Sequence, residues 1–117
     1  MKNQPLTSKL KNAVAGIRYA WRNEDNIRTQ AGLAVVTIIV FLLVQPAWTW
    51  WALIVICIAL VVAAELVNSA LETLIDHLHP EVHPAIGRAK DVLAGMVLVV
   101  SFAAAVVGLL ALVSSLR

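Results

Sequence analysis

The sequence predicts an all-α membrane protein: an amphipathic surface helix followed by three hydrophobic spans. Two observations carry this prediction. Of the 117 residues, 61% are apolar and only 14% charged, against roughly a quarter charged in an average soluble domain. Two runs, residues 31–64 and 92–116, hold no charged side chain at all. A soluble chain of this length has too small an interior to hide so much apolar surface, so lipid must solvate most of it.

The surface helix is expected near residues 8–24. There Leu10, Val14, Ile17 and Trp21 recur at helical spacing while Lys9, Lys11, Arg18 and Arg22 take other faces, the pattern of a helix lying on the inner leaflet. Packing of that face onto the protein's own spans is the alternative. The run 31–64, as one helix, would be about 50 Å long and overshoot a hydrocarbon core of about 30 Å. Its only turn signal is Gln45-Pro46, which divides it into spans near 29–44 and 47–71. The third span is expected near 92–116. Its Ala104, Gly108 and Ala111 suit close helix packing, within the chain or between copies.

Charge sets the expected orientation. Lys2, Lys9, Lys11, Arg18, Arg22 and Arg28 precede the first span, Arg88 and Lys90 lie between the second and third, and the Gln45-Pro46 turn has no basic residue. By the positive-inside rule the N-terminus and residues 72–91 are cytoplasmic and the C-terminus is outside. Trp48, Trp50 and Trp51 then form an outer interfacial belt. No signal-peptide pattern is present, because the first apolar run begins only after Arg28. The net charge of +2, with its basic residues gathered near the N-terminus, gives no reason to expect a nucleic-acid partner. The single cysteine, Cys57, lies in an apolar run with no His or acid near it in sequence and reads as structural.

The chemistry-bearing feature is a polar stripe. Glu65, Asn68, Glu72 and Asp76 are spaced three, seven and eleven residues from the first, which at about 100° per residue places them on one helix face. Glu65 is flanked by Val61, Val62, Ala63 and Ala64 before it and Leu66 and Val67 after it. An ionisable residue in such a setting is a functional candidate by default, since a bare carboxylate there is costly. Folding the first two spans about Gln45-Pro46 brings Glu24 to the depth of Leu66. Four acids at one depth repel one another, and proton sharing or a hard divalent cation relieves that repulsion. Simple pairing with Arg18, Arg22, Arg28, Arg88 and Lys90 as solvated loop charges is the competing account, strongest for Asp76 and Glu81 and weakest for Glu65.

Lys90 stands immediately before the third span and can reach a phosphate or snorkel as an anchor, and Asp91 can cap the helix. His77, His79 and His83 are interrupted by His79-Pro80 and His83-Pro84 and read as a wet loop more readily than as metal ligands. Neither GxxxxGK[ST] nor GxGxxG occurs, so a nucleotide would be held without a glycine-rich cradle.

The segment Glu65-Leu-Val-Asn68-Ser-Ala-Leu-Glu72, followed by Asp76 and then Gly87-Arg-Ala-Lys90-Asp91, resembles the prokaryotic diacylglycerol kinase family, as does Gly16-Ile-Arg18-Tyr-Ala-Trp21-Arg-Asn23-Glu24 upstream. The resemblance covers most of the chain. It implies a homotrimer in the bacterial cytoplasmic (inner) membrane, an active site shared between subunits, and transfer of the ATP γ-phosphate to a lipid hydroxyl, diacylglycerol becoming phosphatidic acid. Carried over position by position, Glu65 is the general base, and Glu24 and Glu72 hold a divalent cation, Mg²⁺. Lys90 contacts phosphate, while Asn68, Asp76, His83 and Asp91 support ATP or the geometry of transfer, and Trp21 and Arg28 join Glu65 on the lipid side. The family pattern is departed from in the first helix, where Pro5 and Asn12 stand in place of an arginine and an aromatic residue that contact nucleotide. Glu24-Asp-Asn26-Ile-Arg28 is similar to the undecaprenol kinase branch, so a polyprenol acceptor is the alternative. From another class, a small proton-coupled transporter or scaffold would also carry intramembrane acids. Here, however, the acids gather at one surface and no inverted repeat is evident.

Overall fold

The computed structural model describes residues 3–116, which form four helices and no strand. They are α1 (Leu6–Asn23), α2 (Asp25–Val44), α3 (Trp48–Leu78) and α4 (Pro84–Ser115). Three of them, α2, α3 and α4, are long and apolar enough to cross a membrane. Lys2, counted above among the basic residues before the first span, lies outside the described residues.

The helix ends follow local chemistry. Between α1 and α2 only Glu24 is non-helical, with extended φ −121° and ψ 111°. Arg22 in the last turn of α1 and Asp25 in the first turn of α2 each suit the helix dipole they sit on. The Arg28 guanidinium bonds both the Trp21 carbonyl and the Asp25 carboxylate and so ties the corner together. Helix α2 stops at Gln45, whose left-handed φ of 54° turns the chain into Pro46. Helix α3 stops where His79 precedes Pro80, a position that disfavours helical backbone.

Three expected boundaries move. Helix α2 begins at Asp25, before residue 29. The third transmembrane helix begins at Pro84, well before residue 92, because Pro84 is preorganised for a first helical position and His83 caps it, its Nδ1 accepting the Ala85 N–H at 3.0 Å. Asp91 is therefore inside the helix and not its cap. Helix α3 runs past residue 71 to Leu78; its 31 residues reach about 47 Å, so its last turns, with Glu72 and Asp76, extend beyond a hydrocarbon core of about 30 Å.

One buried cluster lies near the α2–α3 turn, while Ile27, Val61 and Ala64 are buried toward the other end. Phe41, Ile54 and Ala111 are buried together, with Val40, Trp50, Trp51, Val107 and Leu112 against them. The Phe41 and Trp51 rings meet edge to face, centroids 5.6 Å apart. Of Trp48, Trp50 and Trp51, only Trp48, 88% exposed, projects freely as a belt residue. Ala111 is used inside the chain, and Gly108 sits beside Ile54 with ordinary contact room for a methyl group. Helix α3 makes its most extensive contact with α4 and a smaller one with α2, while α2 touches α4 sparsely. An apolar groove of about 470 Å³ remains between the three helices, lined by Gln30 among others, with Cys57 on its wall.

The apolar face of α1 does not pack on the spans. Leu10, Val14, Ile17 and Trp21 are all exposed, which supports the leaflet-lying reading over the alternative. Only Ala20 is buried, where α1 crosses α3 near Leu66, Ser69 and Ala70.

Candidate active site

The stripe forms on α3 as the spacing requires. Glu65 is 4% exposed, the one charged residue among the buried side chains of the described residues. One turn later Ser69 is 5% exposed, and Glu72 and Asp76 follow toward the end of the helix, half-buried and exposed respectively. The α1–α2 corner stands opposite, and there the single extended residue, Glu24, directs its carboxylate at α3. The Ser69 hydroxyl donates to Glu24 Oε1 at 3.1 Å.

Glu24 and Glu72 are the two carboxylates whose charges bear on Glu65. None of the three forms an ion pair among the described residues. The Gln30 amide of α2 donates to Glu65 Oε1 over a long 3.5 Å. Asp76 differs: Lys90 Nζ of α4 lies 2.6 Å from its Oδ1, and Lys90 also feels the charge of Glu72. The order across this end of the bundle is thus a group of three unneutralised acids bordered by one lysine–aspartate pair.

The remaining residues separate into those brought to this group and those left aside. Asn68 lies between Glu65 and Glu72 on the helix, and its Oδ1 is buried without a partner among the described residues, a costly state for a carbonyl oxygen. His83 caps α4 and meets the His79 ring edge to face at 6.0 Å. His79 in turn bonds Glu81 at 3.1 Å, so this loop is a local polar network. Asp91 is exposed on α4 beside Lys90. Trp21 and Arg28 belong to the corner: the Trp21 indole is exposed and Arg28 is already bonded within it.

Two polar partners were not singled out from the sequence, Ser69 and Gln30. Ser69 had a detectable signal, since it stands four residues after Glu65 and hence on the stripe's own face. Gln30 had none beyond being an amide at the start of an apolar run, because its partner lies on another helix.

Among the described residues no three His, Cys, Asp or Glu side chains converge as a complete metal cage. The donor set still suits a hard cation of the Mg²⁺ type. Such an ion is expected to take one or two carboxylates and to complete its shell with water and substrate phosphate oxygens. Glu24 and Glu72 are two such carboxylates, and the Asn68 oxygen, unpartnered among the described residues, is a further hard donor on the same face of α3 as Glu72.

Residues 11–112 match the family described as prokaryotic diacylglycerol kinase. The diacylglycerol kinase of Haemophilus influenzae is 34% identical over 86 residues, 74% of this chain and 73% of that protein. The diacylglycerol kinase of Escherichia coli K12 is 30% identical over 84 residues, 72% of this chain and 69% of its own length. The undecaprenol kinase of Bacillus subtilis is 33% identical over 95 residues, 81% of this chain and 77% of its own.

Proposed function

The chain belongs to the prokaryotic diacylglycerol kinase family, and from that premise, which makes it a bacterial inner-membrane lipid kinase, we propose that it transfers the γ-phosphate of ATP to the hydroxyl of diacylglycerol. The observation that supports the reading best is Glu65: a buried carboxylate on a membrane-spanning helix, without an ion-pair partner among the described residues and with the charges of Glu24 and Glu72 acting on it. Such an arrangement suits neither packing nor anchoring, and it supplies what phosphoryl transfer to an alcohol requires.

In this reading Glu65 accepts the proton of the acceptor hydroxyl as its oxygen attacks the γ-phosphorus and the bond to the bridging β-phosphate oxygen breaks, releasing ADP. Glu24 and Glu72 would hold Mg²⁺, which would supply neutralisation of phosphate charge. Lys90, already held at the stripe by Asp76, offers its ammonium to the same phosphates. Asn68, His83 and Asp91 complete the nucleotide side. Trp21 and Arg28 stand at the corner where the acceptor's headgroup would lie, and the groove between α2, α3 and α4 is suited to its hydrocarbon. The subunit acts within a homotrimer.

Assay of the purified protein in mixed micelles with labelled ATP, Mg²⁺ and a panel of lipid alcohols tests this directly. Diacylglycerol is expected to be the fastest acceptor. The similarity to the Bacillus undecaprenol kinase, which spans more of the chain than the other two comparisons, makes faster turnover of a polyprenol the result that would replace the acceptor while keeping the chemistry.

Orientation is part of the proposal, because ATP is available only on the cytoplasmic side. The N-terminus and the α3–α4 loop face inward and Gln45-Pro46 outward, in keeping with the basic residues around the inner segments. Single cysteines at Asn3, Gln45, Glu81 and Ser115 in a Cys57→Ala background are expected to react with a membrane-impermeant thiol reagent on intact cells at positions 45 and 115 only. Labelling at 81 and not at 45 would strand the acids away from ATP and overturn the kinase mechanism drawn here.

A further inference from the structure

Glu24, between α1 and α2, and Glu65, on α3, are like-charged, long side chains, and nothing in their own backbones aligns them. Glutamate has among the larger rotamer freedoms to lose, mutual repulsion turns two carboxylates apart, and Glu24 stands on the one extended residue between two helices. Yet each carboxylate is held, and by the opposite helix. Ser69 of α3 donates to Glu24 Oε1 at 3.1 Å, and Gln30 of α2 donates to Glu65 Oε1 at 3.5 Å. Both donors are neutral. A lysine or arginine in either place would also hold its carboxylate, but it would cancel the negative charge a divalent cation is attracted to. Each bond uses Oε1, and neither Oε2 has a hydrogen bond among the described residues.

We propose that Ser69 and Gln30 are positioning residues, a crossed pair of neutral donors that fixes Glu24 for the divalent cation and Glu65 for the acceptor hydroxyl while leaving one oxygen of each free. The inference rests on the kinase reading above and assigns different kinetic roles to two residues that the reading itself does not use. Ser69 governs cation affinity through Glu24. Gln30 governs turnover through Glu65.

The test uses the full chain in mixed micelles with ATP, diacylglycerol and graded Mg²⁺. Loss of a group that orients a metal ligand typically costs 10- to 100-fold in affinity or activity. Ser69→Ala is therefore expected to raise the Mg²⁺ concentration for half-maximal rate by about tenfold, with kcat within about twofold of wild type. Ser69→Cys, similar in volume and a poor donor, should behave as Ser69→Ala does, and Ser69→Thr, which restores the hydroxyl, should return the Mg²⁺ requirement toward wild type. Gln30→Leu, a substitution the apolar groove accommodates, is expected to lower kcat by about tenfold and leave the Mg²⁺ requirement within about twofold. A packing role would move both parameters together and lower the melting temperature. That pattern, or unchanged kinetics in both variants, overturns the inference while an active wild type leaves the kinase reading standing. A wild type that phosphorylates no lipid alcohol overturns the kinase reading, and this inference with it.

Discussion

Glu65→Gln is expected to lower phosphoryl transfer by roughly 10²- to 10⁴-fold, the usual contribution of a positioned general base, with the folded protein intact. The amide keeps the shape of the side chain and can still accept from Gln30, which is the only hydrogen-bond partner of Glu65 among the described residues. No cation among the described residues is stranded by the change, since none of them pairs with Glu65. The substitution also removes a charge facing Glu24 and Glu72, so thermal stability in micelles should hold or rise. A purely structural acid would show the reverse: lower stability with turnover preserved. Turnover above about a tenth of wild type, measured at saturating ATP and acceptor, would remove Glu65 from the base's role.

The second large effect is expected at the cation. Glu24→Gln and Glu72→Gln should each raise the Mg²⁺ needed for half-maximal rate by at least about tenfold, because a hard cation loses much of its attraction when a carboxylate becomes a neutral amide. The two need not be equal. Glu24 is held by Ser69 on an otherwise non-helical residue, while Glu72 lies within α3 and its charge also bears on Lys90, so Glu72→Gln should additionally weaken the site's hold on that lysine. A titration of rate against Mg²⁺ at fixed ATP checks both. Unchanged Mg²⁺ dependence in the two variants, with altered melting temperature alone, would make these acids structural.

These expectations draw on features of very different legibility. The stripe Glu65, Asn68, Glu72 and Asp76 was readable because a helix repeats every 3.6 residues, so four positions on one face announce themselves in a single continuous segment. The approach of Glu24 was readable more coarsely, from equal distances on either side of a proline turn. Pairings between helices were not readable in that way. Lys90 with Asp76, Ser69 with Glu24 and Gln30 with Glu65 depend on how neighbouring helices rotate about their axes, and no spacing within one segment records that rotation.

Composition and periodicity by themselves determined that this chain is helical, membrane-embedded and armed with a row of acids at one end of a span. All three follow from terms local to a segment: the cost of burying charge in lipid and the pitch of a helix. The tertiary structure decided which acids are neutralised and which are not. Asp76 meets a lysine, whereas Glu24, Glu65 and Glu72 have no ion pair among the described residues, and Glu24 and Glu65 accept instead from the neutral donors Ser69 and Gln30. It also decided that Lys90, inside α4, comes within reach of Asp76 on α3. The physical reason is common to both: electrostatic pairing is a matter of distance in space, set by packing angles between helices, and those angles arise from contacts among residues far apart in the chain.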